Sequence, residues 1–385
     1  MDEKLKVAML ATRYSPPHFR GGEEHVVHEL RREFLQRGHA PYVFARTLNK
    51  WRDLDACSTS QDVTRFRVWD IPVVTHLQFA RRVREVLPEY NCDMILNMHA
   101  IAGYALTVSP HIVVAATTSI GEAAAVYGNS PLRWLERLLR RTLSYRLEKR
   151  VLSTCTHVVC VSDHIRREVE QWFGVPADRL SVIGNGVDAD HFRPPEKEIW
   201  SGCPPRILFV GRLVNRKNVS LLLAAARILQ REAIDFEILI AGDGPDRHSL
   251  QEQATAMGLH SRTTFAGRKA ASELLKCYQS SDIFVLPSRY EGMPLVLLEA
   301  MACGLPTIAC NFTGVRDIIR HGHNGFVADE GTPECVAEYL RQLLADKARA
   351  KTMGRQARND VLRQFTWKQV ADQYLQLMTK LREET

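Results

Sequence analysis

Short apolar runs recur along the chain at residues 5–11, 41–45, 63–68, 94–97, 112–116, 157–161 and 180–183. They return at 206–210, 236–240, 263–266, 283–286, 307–309 and 325–327. Such runs are too short for helices and rich in branched apolar residues, as strands buried on both faces are. Between them lie segments of helical period. In residues 23–38, Val26, Leu30 and Phe34 share a face, Glu23 and Glu24 occupy the first turn, and Gly38 ends the pattern. Further helices are predicted over 219–230, 295–303 and 365–381. Strands alternating with helices predict an α/β chain with parallel sheets covered on both faces. No solenoid-period repeat or low-complexity tract interrupts the pattern.

At 385 residues the chain is long for one core and comfortable for two. The stretch Val182–Pro195 carries Gly184, Gly186, Pro194 and Pro195 and reads as a linker. The expected division is a first domain over 1–187, a second over 188–365, and a terminal helix over 366–385.

Composition narrows the function without naming it. Nine cysteines show no Cys-x-x-Cys spacing, so free thiols are expected rather than a zinc site or a disulfide framework. The start, MDEKLKVAML, does not read as a secretory leader, and no run approaches the ~20 apolar residues of a membrane span. A cytoplasmic location is expected. The net charge is +7, and residues 131–150 hold seven cations against two acids, or +5. The excess is local, which argues against a general nucleic-acid surface. Leu132, Leu135, Leu139 and Leu143 line one face of that segment, with Arg133, Arg137, Arg140 and Arg141 away from it. The simpler reading is a surface helix. The alternative is peripheral contact of 131–152 with an anionic membrane on its inner face.

The chemistry concentrates in Ser288–Pro306, SRYEGMPLVLLEAMACGLP. A strand ends, a polar turn follows, and a helix starts beside Pro294 and stops at Gly304. A loop opening a helix offers unpaired N–H groups and a positive dipole end to an anion or to sugar hydroxyls. Glu291 lies in the turn, and Glu299 lies among residues that should be buried. A buried carboxylate needs a partner. Either a ligand diol or an internal Arg or N–H would serve.

GRLVNRKN, Gly211–Asn218, is a second strand-to-helix loop, and its Arg212 and Lys217 suit a diphosphate. AGDGPDRHSL, Ala241–Leu250, is a third, with Asp243 and Gly244 shaping a floor. In the first domain, Gly21 and Gly22 open a helix after a strand. His99 follows the strand 94–97, where ligands of such sheets bind; a structural histidine is the simpler reading. Two Asp-x-Asp strings, Asp53-Leu-Asp55 and Asp188-Ala-Asp190, lie in a polar loop and in the linker. Neither ends a core strand, so no metal is expected.

Two glutamates separated by seven residues and followed by Ala-Met-Ala-Cys-Gly-Leu-Pro resemble the retaining glycosyltransferases of family 4. The resemblance covers nearly the whole chain and is strongest over 206–367. It implies the glycosyltransferase-B architecture: two Rossmann-like parallel-sheet domains facing across a cleft, the first binding the acceptor and the second the nucleotide sugar. The terminal helix would cross back onto the first domain. It implies Glu299 for the donor ribose, and Glu291 with the backbone of Gly292, Met293, Pro294 and Leu295 for the donor sugar. Gly21 and Gly22 would close over the phosphates, and Arg268 marks where backbone reads the base, pointing weakly to a pyrimidine. The implied catalytic set is Arg212, Lys217, Glu291 and His99. The implied reaction is metal-independent transfer from a nucleotide sugar, expected to be UDP-glucose or UDP-N-acetylglucosamine, to a hydroxyl that could be lipid-linked. No further cofactor is expected. The family often carries a second histidine after the next strand, where this chain has Thr117, Thr118 and Ser119. A hydroxyl replaces a hydrogen bond there but not a proton relay. The commoner Pro-Glu after Gly-Val is also missing at Arg316 and Asp317, which receive no role. The alternatives are a nucleotide-sugar epimerase of similar fold and a non-catalytic nucleotide-sugar binder.

Overall fold

The computed structural model describes residues 4–14, 16, 21–49, 57–60, 62–69, 74–99, 110–121, 144–196, 204–312 and 314–384. The chain divides into two compact units, Met1–Asn185 with Trp367–Thr385, and Gly186–Thr366. Asp53 and Asp55, residues 15 and 17–20 of the 12–22 loop and most of the basic stretch 131–152 lie outside the described residues.

Unit 1 is built on a sheet of eight strands. They are β1 (Lys6–Ala11), β2 (Ala40–Asn49), β3 (Cys57–Ser60), β4 (Val63–Trp69), β5 (Met94–Asn97), β6 (His111–Ala115), β7 (His157–Cys160) and β8 (Leu180–Val182). The order is β3-β4-β2-β1-β5-β6-β7-β8. All neighbours are parallel except β3, which pairs antiparallel to β4 at the edge. From Val7 onward β1 is fully buried, as a strand covered on both faces must be. Helix α1 (Gly22–Gln36) buries Val26, Val27, Leu30 and Phe34. Helix α2 (Val74–Val86) packs on β4, where Phe79 joins Phe44 and Phe66 in one apolar cluster. Helix α3 (Asp163–Glu168) is capped by Ser162 Oγ, which accepts from the Ile165 N–H at 3.3 Å.

Unit 2 carries six parallel strands: β9 (Arg206–Val210), β10 (Glu237–Ala241), β11 (Thr263–Gly267), β12 (Ile283–Leu286), β13 (Thr307–Cys310) and β14 (Phe326–Ala328). Their order is β11-β10-β9-β12-β13-β14, the 3-2-1-4-5-6 order of a doubly wound sheet. Its helices are α4 (Val219–Arg231), α5 (Arg247–Ala256), α6 (Ala271–Gln279), α7 (Leu295–Ala302), α8 (Pro333–Ala345) and α9 (Lys347–Gln364). Thr332 and Asp346 cap α8 and α9 through the N–H groups of Cys335 and Arg349.

The last helix, α10 (Trp367–Glu383), belongs to unit 1 and lies against α1. Arg37 clasps the pair, reaching Glu33 at 2.6 Å, Asp372 at 2.9 Å and the Lys368 carbonyl at 3.0 Å. In each sheet the order reverses beside the first strand, between β1 and β5 and between β9 and β12. A crevice opens at such a switch point, at the carboxyl ends of the strands.

Candidate active site

In unit 2 the loops leaving β9 and β12 lie side by side at the switch point, because those strands are neighbours. The first is shaped by its glycine-rich companion after β10. The Leu213 N–H donates to the Asp243 carbonyl at 2.9 Å, and the Asp246 N–H donates to the Leu213 carbonyl at 3.2 Å. A Cβ on Gly244 would lie 2.2 Å from the Leu213 carbonyl oxygen, and one on Gly242 would lie 1.8 Å from that of Gly211. Neither position admits a side chain. The floor expected from Asp243 and Gly244 is therefore a main-chain contact that fixes where residues 211–217 run.

Residues Asn215–Lys217 form a single 3-10 turn, and Asn218 enters the left-handed region at φ 52° before α4 begins. The turn aims Lys217 inward and leaves it 9% exposed. Its ammonium lies 2.7 Å from Glu291 Oε1 as an ion pair, off the direction of an aligned hydrogen bond. Arg216 takes the other carboxylate oxygen: Nη1 donates to Glu291 Oε2 at 3.2 Å and to the Tyr290 carbonyl at 3.1 Å. Glu291 itself is 6% exposed. Withdrawing a carboxylate this far from water is costly without opposite charge, and here two cations face it. The Arg289 N–H donates to the Arg216 carbonyl at 2.9 Å, and the Arg289 guanidinium bonds Asn215 Oδ1, so the two loops are joined along the main chain as well.

Helix α7 starts at Leu295, the expected residue. Pro294 is the N-cap, at φ −76° and ψ 121°, and offers no side-chain acceptor. The leading N–H groups of Leu295 and its successors point out of the helix at this end, with the positive dipole end behind them. Gly292, Met293 and Pro294 are buried in the approach. At the far end the helix closes at Ala302, and Gly304 turns the chain at φ +77°.

Glu299 lies one turn into α7 and is 8% exposed. Its expected partner proves to be a hydroxyl: Tyr278, on α6, donates to Oε2 at 2.7 Å. Burial pushes the Glu299 carboxyl up to about 7, although the Tyr278 bond pulls it down. Burial also holds the Tyr278 phenol well above its ordinary range, so it remains a neutral donor.

The other predicted residues take no part in this ion-pair cluster. Arg212 is exposed, with no side-chain partner among the described residues. Arg268 follows β11, at the carboxyl end of the edge strand of the same sheet, and is exposed. Asp188 is occupied by its own turn, its Oδ1 accepting from the N–H groups of Asp190 and His191. Among the described residues, no three His, Cys, Asp or Glu side chains converge as metal ligands.

In unit 1, Gly21 is the N-cap of α1 with an extended backbone, and Gly22 is the first helical residue. A Cβ on Gly21 would meet nothing within 4 Å, so no internal contact demands glycine there. Glu23 ties this helix start to the end of β1, accepting from the Thr12 N–H at 2.6 Å and from its hydroxyl at 2.8 Å. His99 follows β5 and stacks on His76, with centroids 4.9 Å apart and planes at 13°. Both Nδ1 atoms are buried without a hydrogen-bond partner. Burial, with help from His99 and Arg46, lowers the His76 imidazole to about 3. Thr118 is taken up internally: its hydroxyl donates to Glu168 at 2.7 Å and accepts from the Gly121 N–H.

Sequence reasoning missed Arg216, Tyr278 and His76. Arg216 had one available signal, its place beside Lys217 in a strand-end loop. Tyr278 and His76 had none, since each sits in a segment that reads as ordinary helix.

Comparison with known proteins adds independent findings. Residues 193–360 match the family model described as glycosyl transferases group 1, and residues 20–191 match that of Glycosyltransferase Family 4. A GDP-mannose-dependent alpha-(1-6)-phosphatidylinositol monomannoside mannosyltransferase of Mycobacterium tuberculosis is 28% identical over 380 residues, covering 94% of this chain and 95% of that protein. A D-inositol 3-phosphate glycosyltransferase of Rhodococcus opacus is 30% identical over 243 residues, 60% of this chain and 54% of that one. Among solved structures, sucrose-phosphate synthase from Thermosynechococcus elongatus superposes with a TM-score of 0.84 at 22% identity, covering 99% of this chain and all of that one. The catalytic domain of starch synthase IV from Arabidopsis thaliana gives 0.73 at 15% identity, again over 99% of this chain. At these identities the structural likeness is one of fold.

Proposed function

The chain belongs to glycosyltransferase family 4 and has the glycosyltransferase-B fold, and from that premise we propose that it transfers a hexose, with retention of configuration, from a nucleoside diphosphate sugar to an acceptor hydroxyl. The observation that supports this reading is the meeting of two strand-end loops at the switch point of unit 2, where Arg216 and Lys217 face the buried Glu291 beside the open start of α7. Departure of a diphosphate is the costly event, and fixed cations with helix N–H groups stabilise the charge that develops. Arg212 and Lys217 take the diphosphate, Glu299 takes the ribose, and Glu291 with the backbone of 292–295 takes the sugar. Those groups supply the positive charge a metal would, and the reaction proceeds without one. No side chain is assigned as a covalent nucleophile, so the acceptor attacks from the face the diphosphate leaves.

Acceptor binding belongs to unit 1, at its own switch point beside Gly21, Gly22 and His99. A relative of nearly full length is named for GDP-mannose and for a phosphatidylinositol-linked acceptor. GDP-mannose is therefore the first donor to test, ahead of the uridine donors expected from the sequence. A lipid-linked hydroxyl is the first acceptor class, with 131–152 as the segment that would meet the membrane. Among the described residues no helix is long and apolar enough to cross a membrane.

The test is a thermal-shift screen against GDP-mannose, UDP-glucose, UDP-N-acetylglucosamine and ADP-glucose, followed by turnover of whichever donor stabilises the protein. The reading requires at least one donor to raise the melting temperature, and a product whose anomeric configuration, read by NMR, matches the donor's. A donor converted to its epimer without acceptor would replace it with the epimerase alternative. Binding without hydrolysis or transfer would leave a non-catalytic binder.

A further inference from the structure

The two cations on Glu291 are held in different ways. Lys217 reaches Oε1 through the end of a four-carbon stem, by one ammonium contact. Arg216 is fastened to the Glu291 loop at three points. Its carbonyl accepts from the Arg289 N–H at 2.9 Å, its Nη1 donates to the Tyr290 carbonyl at 3.1 Å, and the same Nη1 donates to Glu291 Oε2 at 3.2 Å. A planar guanidinium anchored on main chain keeps its geometry, whereas a flexible ammonium redirects at little cost. A diphosphate arriving at the 211–217 loop competes for the ammonium and leaves the guanidinium where it is.

We propose that Arg216 is a positioning residue that keeps Glu291 aimed and charge-compensated once the donor's diphosphate has drawn Lys217 away. This deepens the glycosyl-transfer reading and rests on it. The Lys217–Glu291 pair holds two opposite charges together in a nearly dry site. On donor binding the lysine exchanges one anion for another. Glu291 would then be a withdrawn carboxylate beside a second anion with no counter-charge, and Arg216 prevents that. The carboxylate stays free to accept from sugar hydroxyls, because Arg216 occupies Oε2 from the loop side and Lys217 has vacated Oε1. Arg216 touches Glu291 and not the reacting atoms, so its effect belongs to the sugar-dependent part of binding and catalysis.

The experiment compares full-length wild type with Arg216→Gln and Arg216→Lys. It uses calorimetric binding of GDP and UDP, and steady-state turnover of GDP-mannose and UDP-glucose. A role in folding alone would not divide sugar from nucleotide. The expected result for Arg216→Gln is a nucleoside diphosphate Kd within about 3-fold of wild type and a kcat lower by roughly 10- to 100-fold. The extra affinity that the sugar adds to the diphosphate is lost with it. Arg216→Lys, which keeps the charge and gives up the anchored fork, is expected to recover part of kcat. Should the Gln variant unfold at assay temperature, Arg216→Lys carries the test: wild-type kcat overturns the fork, and a partial loss at unchanged nucleotide affinity supports it. A Gln variant with wild-type kcat and wild-type sugar-dependent affinity overturns the role of Arg216 alone. A wild type that binds neither GDP nor UDP and turns over neither sugar removes the underlying reading and this role together.

Discussion

Replacing Glu299 with glutamine should make unit 2 more stable in alkali while weakening its grip on nucleotide. The carboxyl is withdrawn behind Tyr278 and titrates at about 7 instead of 4.5. A raised folded value means that the folded state holds the proton more tightly than the unfolded chain. The stabilisation is fully present below about pH 4.5 and is lost as pH rises through 7. The shift, 7 minus 4.5, is 2.5 units, or about 3 kcal/mol in all at 1.36 kcal/mol per unit. Between pH 5 and pH 8 roughly 2.5 kcal/mol of that falls due. Glutamine does not titrate, and its carbonyl can still accept the Tyr278 hydroxyl. The unfolding free energy of Glu299→Gln minus that of wild type should therefore move by about 2.5 kcal/mol in favour of the variant over that interval. Urea unfolding of the full chain, followed by hydrogen exchange of peptides from β12 and α7, reads the quantity locally. The same ionisation should tighten wild-type nucleotide binding roughly tenfold from pH 6 to pH 8, if the ribose diol needs the charged form. The variant should show weak binding without that dependence. A stability difference that stays flat across the interval would refute the protonated, buried carboxyl on which the reasoning rests.

Three other outcomes are expected. Lys217→Ala should lower turnover by roughly 100-fold or more with the fold retained, since Glu291 keeps Arg216 as its counter-ion; near-normal kinetics would remove lysine from the diphosphate site. Gly244→Ala should destabilise by about 2 kcal/mol or more, because the new methyl would sit 2.2 Å from the Leu213 carbonyl oxygen; a urea midpoint within error of wild type would show that the loop yields freely. Activity should survive a chelator such as EDTA, and complete loss restored by magnesium or manganese would overturn the metal-free reaction.

The parallel strands were legible because a strand covered on both faces must be apolar at every position. Met94–Asn97, Arg206–Val210 and Ile283–Leu286 fall where the runs placed them. The same logic explains the failures. Strand β3 is Cys-Ser-Thr-Ser, an edge strand that joins the sheet by its main chain and has no apolar signature. Strand β2 runs on from Ala45 to Asn49, past the apolar run, because β4 continues beside it in register from Arg46↔Phe66 to Asn49↔Trp69. Pairing with a neighbour extended the strand beyond the apolar run that announced it. The last helix starts at Trp367, two residues after the expected 365, because Phe365 and Thr366 form the turn between α9 and α10.

In the site, main-chain turns were legible and side-chain partnerships were not. Gly211–Asn218 and Ser288–Pro306 each announce a strand end, a tight turn and a helix start by residue type alone. What sequence cannot announce is that β9 lies beside β12. That adjacency, which skips β10 and β11, brings Arg216 to a carboxylate 75 residues away. The crossover that creates the switch point thus also conceals which cation serves which anion. From the sequence, Arg212 and Lys217 looked like the cationic pair because they flank the turn. In the fold Arg212 is exposed, and the residue beside Lys217 closes the ion pair. The same holds for Tyr278, whose helix would be read as burying an aromatic for packing until α7 places Glu299 against its hydroxyl. A buried phenol with a carboxyl partner satisfies both groups, so neither leaves an unmet requirement that composition could betray. Residues of this kind are found from which strands are neighbours, and a sheet of alternating crossovers decides that by topology rather than by any local pattern.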